Sequence, residues 1–561
     1  MKIIRIIPII LLLVPLALSG QPRLRERVYV STDREVYVAG DAVWMSAFCV
    51  DAASGHLSSF SKTAYVEVHS PAGMVGTAKI ALDGGRGAGR LTLPNTLPTG
   101  NYRLMAYTAL GASEEGFDPL PGARTISVFN TFTSDRVKDG VKVVAKAPEA
   151  AGIPVSGSLR IEASDATASG TTKVRVSNGG SEAVRFSLGV RHEDGIAAPG
   201  GGRIADFVGS MRALPAARGF DSTVIPEYEG EIIRARVTGT DAEGRAKVKD
   251  KYAFISSPGG GGNVYSSTID GEGNVTFFTS NIYGDQEMFL EIEDLDEDNI
   301  CHLEILSPFR NMDPGEIPAL EMSPEYAKAL EMRGLGMQLE RNFDADTLYS
   351  ALPAKVHEVF DPEDCKSYIL DDYTRFPVME ELFVEFIPEI RSRQVDGRRE
   401  IQILTADSRG IYRFRQGMAL VLLDGVPVLD HQKILDYDPL LVKRIDIYPD
   451  SYFVGIRGFS GIVNFVTYKG TLPSMSFEDN VRIVDFQGTS IPLAYTCEGV
   501  GADYPDYRQT LLWQPLLELG PGETIELDCK TPVYTGLFEA FIEGLADDGS
   551  PVSASAGFSV R

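Results

Sequence analysis

Side chains able to do chemistry are sparse in this sequence, and their spacing limits what that chemistry is. Six histidines occur: His56, His69, His192, His302, His357 and His431. None stands in the HExxH frame or at the helical pair spacing that places two imidazoles on one metal, so each reads as a surface or strand residue. "GFSG" around Ser460 lacks the GxSxG frame of a nucleophile elbow and reads as loop. "EDLDEDN", residues 293–299, puts Asp294, Asp296 and Asp298 at the alternate positions of a calcium loop. Asn299, however, stands where the sharp-turn glycine belongs and Ile305 where the closing glutamate belongs, so a solvated acidic turn is expected. "SSPGGGGNVY" has no Lys-Ser/Thr after its glycines and reads as a linker or a long hairpin tip. Five cysteines, Cys49, Cys301, Cys365, Cys497 and Cys529, contain no CxxC pair and no even framework. Cys497 and Cys529 are close enough in sequence to pair within one domain. No catalytic, cofactor-binding or metal-ligating residue is assigned, no cofactor is expected, and the chain is read as not an enzyme.

Composition narrows the class further. The 53 basic and 78 acidic side chains leave a net charge of -25, which repels a phosphate backbone and argues against a nucleic-acid partner. Residues 1–20 set Lys2 and Arg5 before an apolar run and end in Ala17, Ser19 and Gly20, the layout of a cleaved export signal. No cysteine marks a lipoprotein anchor, and no later apolar run is long enough for a transmembrane helix in the mature chain.

The elements that must carry these residues are mostly short strands. Residues 21–130 hold "TDREVYVAGDAVWMSAF" and "LPTGNYRLMAYT", alternating runs rich in Val, Tyr and Thr and broken by Gly, Pro and Asp, which is a β-sandwich rhythm. Gly40 and Asp41 mark a turn, and Gly100-Asn101-Tyr102 starts a strand after Pro98. Residues 131–225 and 226–308 read as a second and a third sandwich. Residues 309–369 are expected to be a helical linker, with Ser323 as N-cap, Pro324 at the first helical position and a helix running to about Phe343. In residues 370–472, "FPVMEELFVEFIPEI" puts Met379, Leu382, Phe383 and Phe386 on one helical face. "ALVLLDGVPVLD" follows as an apolar strand, an Asp424-Gly425 turn and a short strand that Pro427 confines to an edge. A strand over Val442–Tyr448 and a glycine-rich return into "GIVNFVTYKG" complete an α/β layer. Residues 473–561 read as a C-terminal sandwich with Trp513 in its core. The fold class is mainly β and multidomain: several sandwiches in series plus a small α/β domain.

Two resemblances rest on these segments. Residues 26–130 resemble the Ig-like macroglobulin domain of alpha-2-macroglobulins and of many secreted Bacteroidetes proteins. The order of "FPVMEELFVEFIPEI", "LVLLDGVPV", "VKRIDIY", "GFSGIVNFVT" and Lys469-Gly470 is similar to the plug domain of TonB-dependent outer-membrane receptors. The whole resembles Bacteroidetes secreted proteins that join macroglobulin-type domains to a plug without its barrel. In the receptors the plug closes a barrel of about 22 strands, and the residues after Thr467 are too few for one at about ten per strand. A transporter is therefore not expected. Thioester protease traps carry Cys-Gly-Glu-Gln, which "CEGVG" at Cys497 does not match. The resemblance implies a non-catalytic exported envelope protein, in the periplasm, associated with the outer membrane or at the cell surface. It would act as a scaffold or docking module for an envelope or outer-membrane protein, such as a β-barrel or surface lipoprotein, with the plug-like domain used for recognition. The alternative is a macroglobulin-like binding or endopeptidase-inhibitor protein without a thioester.

Overall fold

Gly40 sits at φ 95°, a backbone that glycine adopts without strain, and it turns the strand Val36–Val38 into Ala42–Asp51. Asp41 closes that turn by accepting from the Val38 N–H at 2.9 Å. Such turns build sandwich I from a three-stranded sheet, Glu26–Thr32, Ala42–Asp51 and Arg86–Thr92, packed on a five-stranded one. Alternate residues of the two sheets, among them Val30, Met45, Ala47, Val66, Leu104 and Ile126, form its core. The computed structural model describes residues 24–561 except 133–139, 149–151, 198–199, 201, 260–262, 281, 294–300, 344–347, 354–364, 396, 407–410, 415–416, 478–479 and 497–503. The expected export signal, His357, Asp294, Asp296, Asp298, Asn299 and Cys497, with its suggested pairing to Cys529, lie outside the described residues.

The chain is mainly β and multidomain, but its sandwiches are nested instead of lying in series. The strand Val184–Glu193 pairs antiparallel on one side with Thr510–Leu519 and on the other with Gly536–Ala546. Thr171–Asn178 likewise pairs with Thr524–Lys530. Sandwich II is thus assembled from two distant parts of the sequence, which share one core of Val174, Val176, Phe186, Leu188, Phe538 and Ile542. The separate sandwiches expected over 131–225 and 473–561 are one body. Neither part carries enough strands to bury its apolar face alone, and pairing removes both exposed edges. Trp513 is fully buried, as expected.

Sandwich III is interrupted in the same way. Its sheets hold Ile232–Thr238, Asn274–Phe278 and His302–Ile305 on one side and Tyr252–Ser256, Val264–Thr268 and Gln286–Ile292 on the other. The last strand of the second sheet, Arg482–Phe486, arrives only after the α/β domain. The segment expected as a helical linker does hold the Ala327–Asn342 helix, entered through a 3-10 turn capped by the Ser323 side chain. It also supplies Tyr349–Ala351 to sandwich II and Lys366–Ile369 to the α/β domain. The α/β domain is therefore an insert within sandwich III, which is itself inserted within sandwich II.

Candidate docking surface on the inserted domain

The insert is organised around Asp424. Asp424 and Gly425 lie at φ 48° and 87°, the left-handed pair of a two-residue hairpin turn, between the strands Leu420–Leu423 and Val426–Pro427. The Asp424 carboxylate is buried and accepts from the Thr467 N–H (2.7 Å), the Thr467 hydroxyl (2.7 Å) and the Leu472 N–H (2.8 Å). One side chain thus fixes the hairpin to the end of the parallel neighbour Ile462–Thr467 and to the segment leaving the domain. The sheet order places Val426–Pro427 at an edge, where a proline costs no ladder hydrogen bond.

Both faces of this sheet are covered, which is why its strands are continuously apolar. Successive side chains point to opposite faces. Leu420, Leu422 and Ile462 pack on Phe254 and Val264 of sandwich III, while Val421, Leu423, Val463 and Phe465 pack on Met379, Leu382, Phe383 and Ile434. Further ties hold the insert to sandwich III. The Gly259 N–H donates to the Asp424 carbonyl at 2.9 Å, Arg457 pairs with Glu293 at 2.6 Å, and the Ser266 hydroxyl donates to the Val454 carbonyl. "SSPGGGGNVY" is the connection between the paired strands Tyr252–Ser256 and Val264–Thr268, and its described end, Gly259, makes the first of these ties.

The helix Met379–Phe386 lies on the side of the sheet away from sandwich III, and its outer face carries the exposed Glu381 and Glu385 with one exposed aliphatic residue, Val384, between them. Val384 is 82% exposed. The Tyr373 ring stacks on Phe386, with centroids 4.4 Å apart and planes 2° from parallel, and Phe376 and Tyr368 extend the aromatic group. Ile369, Tyr373 and Val378 are also exposed. Around them stand exposed Asp371, Asp372, Glu381 and Glu385. An apolar, aromatic centre with a charged rim is the anatomy of a protein interface. A second apolar projection is the hairpin formed by Tyr452–Val454 and Arg457–Phe459, where Phe453 is 75% exposed. The sequence reading found the buried stripe of the helix and passed over Val384, whose signal was an aliphatic residue off that stripe.

The reactive residues are dispersed. His69 is buried against Glu67 at 2.8 Å. His192 contacts Gln509, and burial holds its pKa below the usual value. His302 meets Arg482 at 3.2 Å. His431 departs from the surface-or-strand expectation: it opens the helix His431–Leu435, is buried, and its Nδ1 accepts from the Ile401 N–H at 2.9 Å. Burial pushes its pKa down to about 4, so it is a neutral structural acceptor at physiological pH. The Ser460 hydroxyl donates to the Gly417 carbonyl at 2.9 Å, in the turn before Ile462–Thr467. Among the described residues no group of three His, Cys, Asp or Glu is placed to hold a metal ion.

No family model matches this chain, and no curated protein does. Similar solved structures include trypsin-activated alpha-2-macroglobulin from Escherichia coli, with 8% identity, a TM-score of 0.25, and coverage of 97% of this chain and 42% of that one. Salmonella alpha-2-macroglobulin reacted with methylamine matches at 12% identity and a TM-score of 0.15, covering 97% and 24%. Dimeric latent PorU from Porphyromonas gingivalis matches at 9% identity and a TM-score of 0.14, covering 96% and 34%. The chain spans less than half the length of each. No helix among the described residues is long and apolar enough to cross a membrane.

Proposed function

We propose that this chain is a non-catalytic, exported docking protein of the cell envelope, whose nested sandwiches present the inserted α/β domain to a protein partner. The observation that carries the reading is the pair of exposed apolar residues Tyr373, stacked on the half-buried Phe386, and Val384, on the side of the insert facing away from sandwich III. Its acidic rim, Asp371, Asp372, Glu381 and Glu385, selects a partner whose contact face is apolar at the centre and basic at the edge. The plug-like order of the insert's segments and the signal-like residues 1–20 favour an outer-membrane protein as that partner. Nesting suits this role, because the insert is entered from a strand of sandwich II and left into a strand of sandwich III and so is held on two chain connections instead of a single linker.

The test is affinity purification of the tagged full-length protein from mildly solubilised envelopes, set beside Val384→Asp and Tyr373→Ser. Stoichiometric recovery of an outer-membrane protein with the wild type and its loss with both variants supports the reading. Equal recovery with the variants overturns the assigned surface. Inhibition of a secreted endopeptidase by the purified protein, unchanged in both variants, would instead support the macroglobulin-like alternative.

A further inference from the structure

Residues 227–231, Glu-Tyr-Glu-Gly-Glu, form a strap between sandwiches I and III. On the side of sandwich I, the Lys62 N–H donates to the Glu227 carbonyl at 2.8 Å, the Tyr65 hydroxyl to Glu227 Oε1 at 2.5 Å, and Lys79 Nζ to Glu231 Oε1 at 2.6 Å. On the side of sandwich III, the Ile232 N–H donates to the same Glu227 Oε1 at 3.0 Å. The Thr279 N–H and hydroxyl donate to the Glu231 carbonyl at 3.3 and 2.7 Å. Gly230 is required there, because a Cβ would stand 2.4 Å from the Thr279 carbonyl oxygen.

Both carboxyl groups are sequestered: Glu227 is 3% exposed and Glu231 2%. The Oε2 atom of each is buried with no hydrogen-bond partner among the described residues. The titratable and charged groups facing Glu227 are Tyr65 from the strand Thr63–Ser70, Lys79 from Gly73–Ala81, and Glu231 from the strap itself. Tyr107 stands behind Tyr65, with ring centroids 5.9 Å apart. The only cation in the group, Lys79, is engaged by Glu231 and capped by the Phe486 ring at 4.2 Å. One ammonium cannot neutralise two carboxylates in a dry interface, so one of them must keep its proton or pay a large desolvation cost.

We propose that this strap is a pH-sensitive latch, which fastens sandwich I to sandwich III while Glu227 is protonated and loosens as Glu227 ionises. Burial pushes the Glu227 pKa up to about 7, against the opposing pull of the Tyr65 and Ile232 hydrogen bonds. Burial also raises Glu231, while Lys79 opposes that rise. A glutamate released to solvent titrates near about 4.3. The closed latch therefore holds a proton that the open one releases between about 4.3 and about 7. The latch is fully stabilised below that window, weakens through it, and reaches a constant lower stability above it.

The measurement is the opening constant of the strap in the full-length protein, from hydrogen exchange at the Ile232 and Thr279 amides corrected for intrinsic rates. In the wild type it should rise about tenfold per pH unit between pH 5 and 7 and level off above. Glu227→Gln, which keeps the shape of the protonated acid, should remove that slope. Wild-type opening that is flat over this range, or a slope kept by Glu227→Gln, overturns the proposal. Should that variant not fold, Tyr65→Phe removes a hydrogen bond from the ionised form and should move the levelling point to higher pH; an unmoved or lowered levelling point overturns it. In the infrared spectrum, the protonated-carboxyl C=O band at pH 6 should be weaker in Glu227→Gln than in the wild type, the remainder belonging to Glu340, which burial also pushes up to about 7; an equal band in the two overturns the proposal.

Discussion

Glu67, on the outer face of the five-stranded sheet of sandwich I, accepts a hydrogen bond of 2.9 Å from the backbone N–H of Asn311, in the segment leaving sandwich III. The same carboxylate takes the N–H groups of Arg310 and Met312, each at 2.9 Å, and the Tyr107 hydroxyl at 2.6 Å. Asn311 lies at φ 53°, which turns consecutive N–H groups toward one anion. A single buried side chain therefore anchors the return of the chain across sandwich I.

Glu67→Ala should destabilise the protein by about 1–3 kcal/mol in denaturant unfolding, because it removes the acceptor of three part-buried backbone donors. The Tyr107, His69 and backbone hydrogen bonds, working against burial, hold the Glu67 pKa below the usual glutamate range. A depressed acid contributes stability that is present above its unfolded pKa and lost as pH falls through the folded one. Acid titration of the unfolding midpoint should show a step below about pH 4.3 that Glu67→Gln removes, opposite in sign to the Glu227 latch.

Asp424→Ala should loosen the insert by about 2–4 kcal/mol, since it removes the acceptor for three hydrogen bonds and leaves a β-carbon at φ 48° without a local polar partner. Asp424→Asn should cost less, because asparagine tolerates the left-handed backbone and keeps one acceptor oxygen. Hydrogen exchange in Leu420–Leu423 and Ile462–Thr467 reads both.

The pair Arg124–Glu543 joins sandwich I to sandwich II at 2.7 Å, with both side chains buried. Glu543 also accepts from the Ser31 hydroxyl at 2.9 Å, and Arg203 is its second cation. Arg124→Met should cost about 3–5 kcal/mol by leaving Glu543 undercompensated, and adding Glu543→Met should recover a large part of that loss. A double-mutant cycle in urea measures the coupling.

Gly455 lies at φ 58° where a Cβ would stand 2.2 Å from the Ser266 carbonyl oxygen. Gly455→Val should push the Tyr452–Val454 hairpin off sandwich III and cost about 1–3 kcal/mol. Faster exchange at the amides of Tyr252–Ser256 and Leu420–Leu423, which share one core with that hairpin, checks it.

The local structure was legible in the sequence wherever a residue type dictates a backbone or a face. The Asp424-Gly425 turn, the strand Val442–Tyr448, the Ser323 cap and the buried stripe Met379, Leu382 and Phe383 all follow from short-range chemistry. The docking surface was half legible: the helix was read, while the stacking of Tyr373 on Phe386 depends on how the segment before the helix folds back over it. Strand partnership beyond the hairpins was not legible. The alternation in Thr171–Asn178 says that one face is buried, yet its ladder to Thr524–Lys530 is made by backbone groups that every residue carries.

What the sequence determined by itself is the set of elements and the apolar face of each, because turns, caps and periodicity act over a few residues. What only the tertiary structure decided is that the first strands of sandwich II wait for the last strands of the chain. It also decided that Glu67 meets Asn311 and that Glu227 sits between Tyr65 and Lys79. Those outcomes depend on which edges and carboxylates are left unsatisfied after everything nearby has paired, and that is a property of the whole fold.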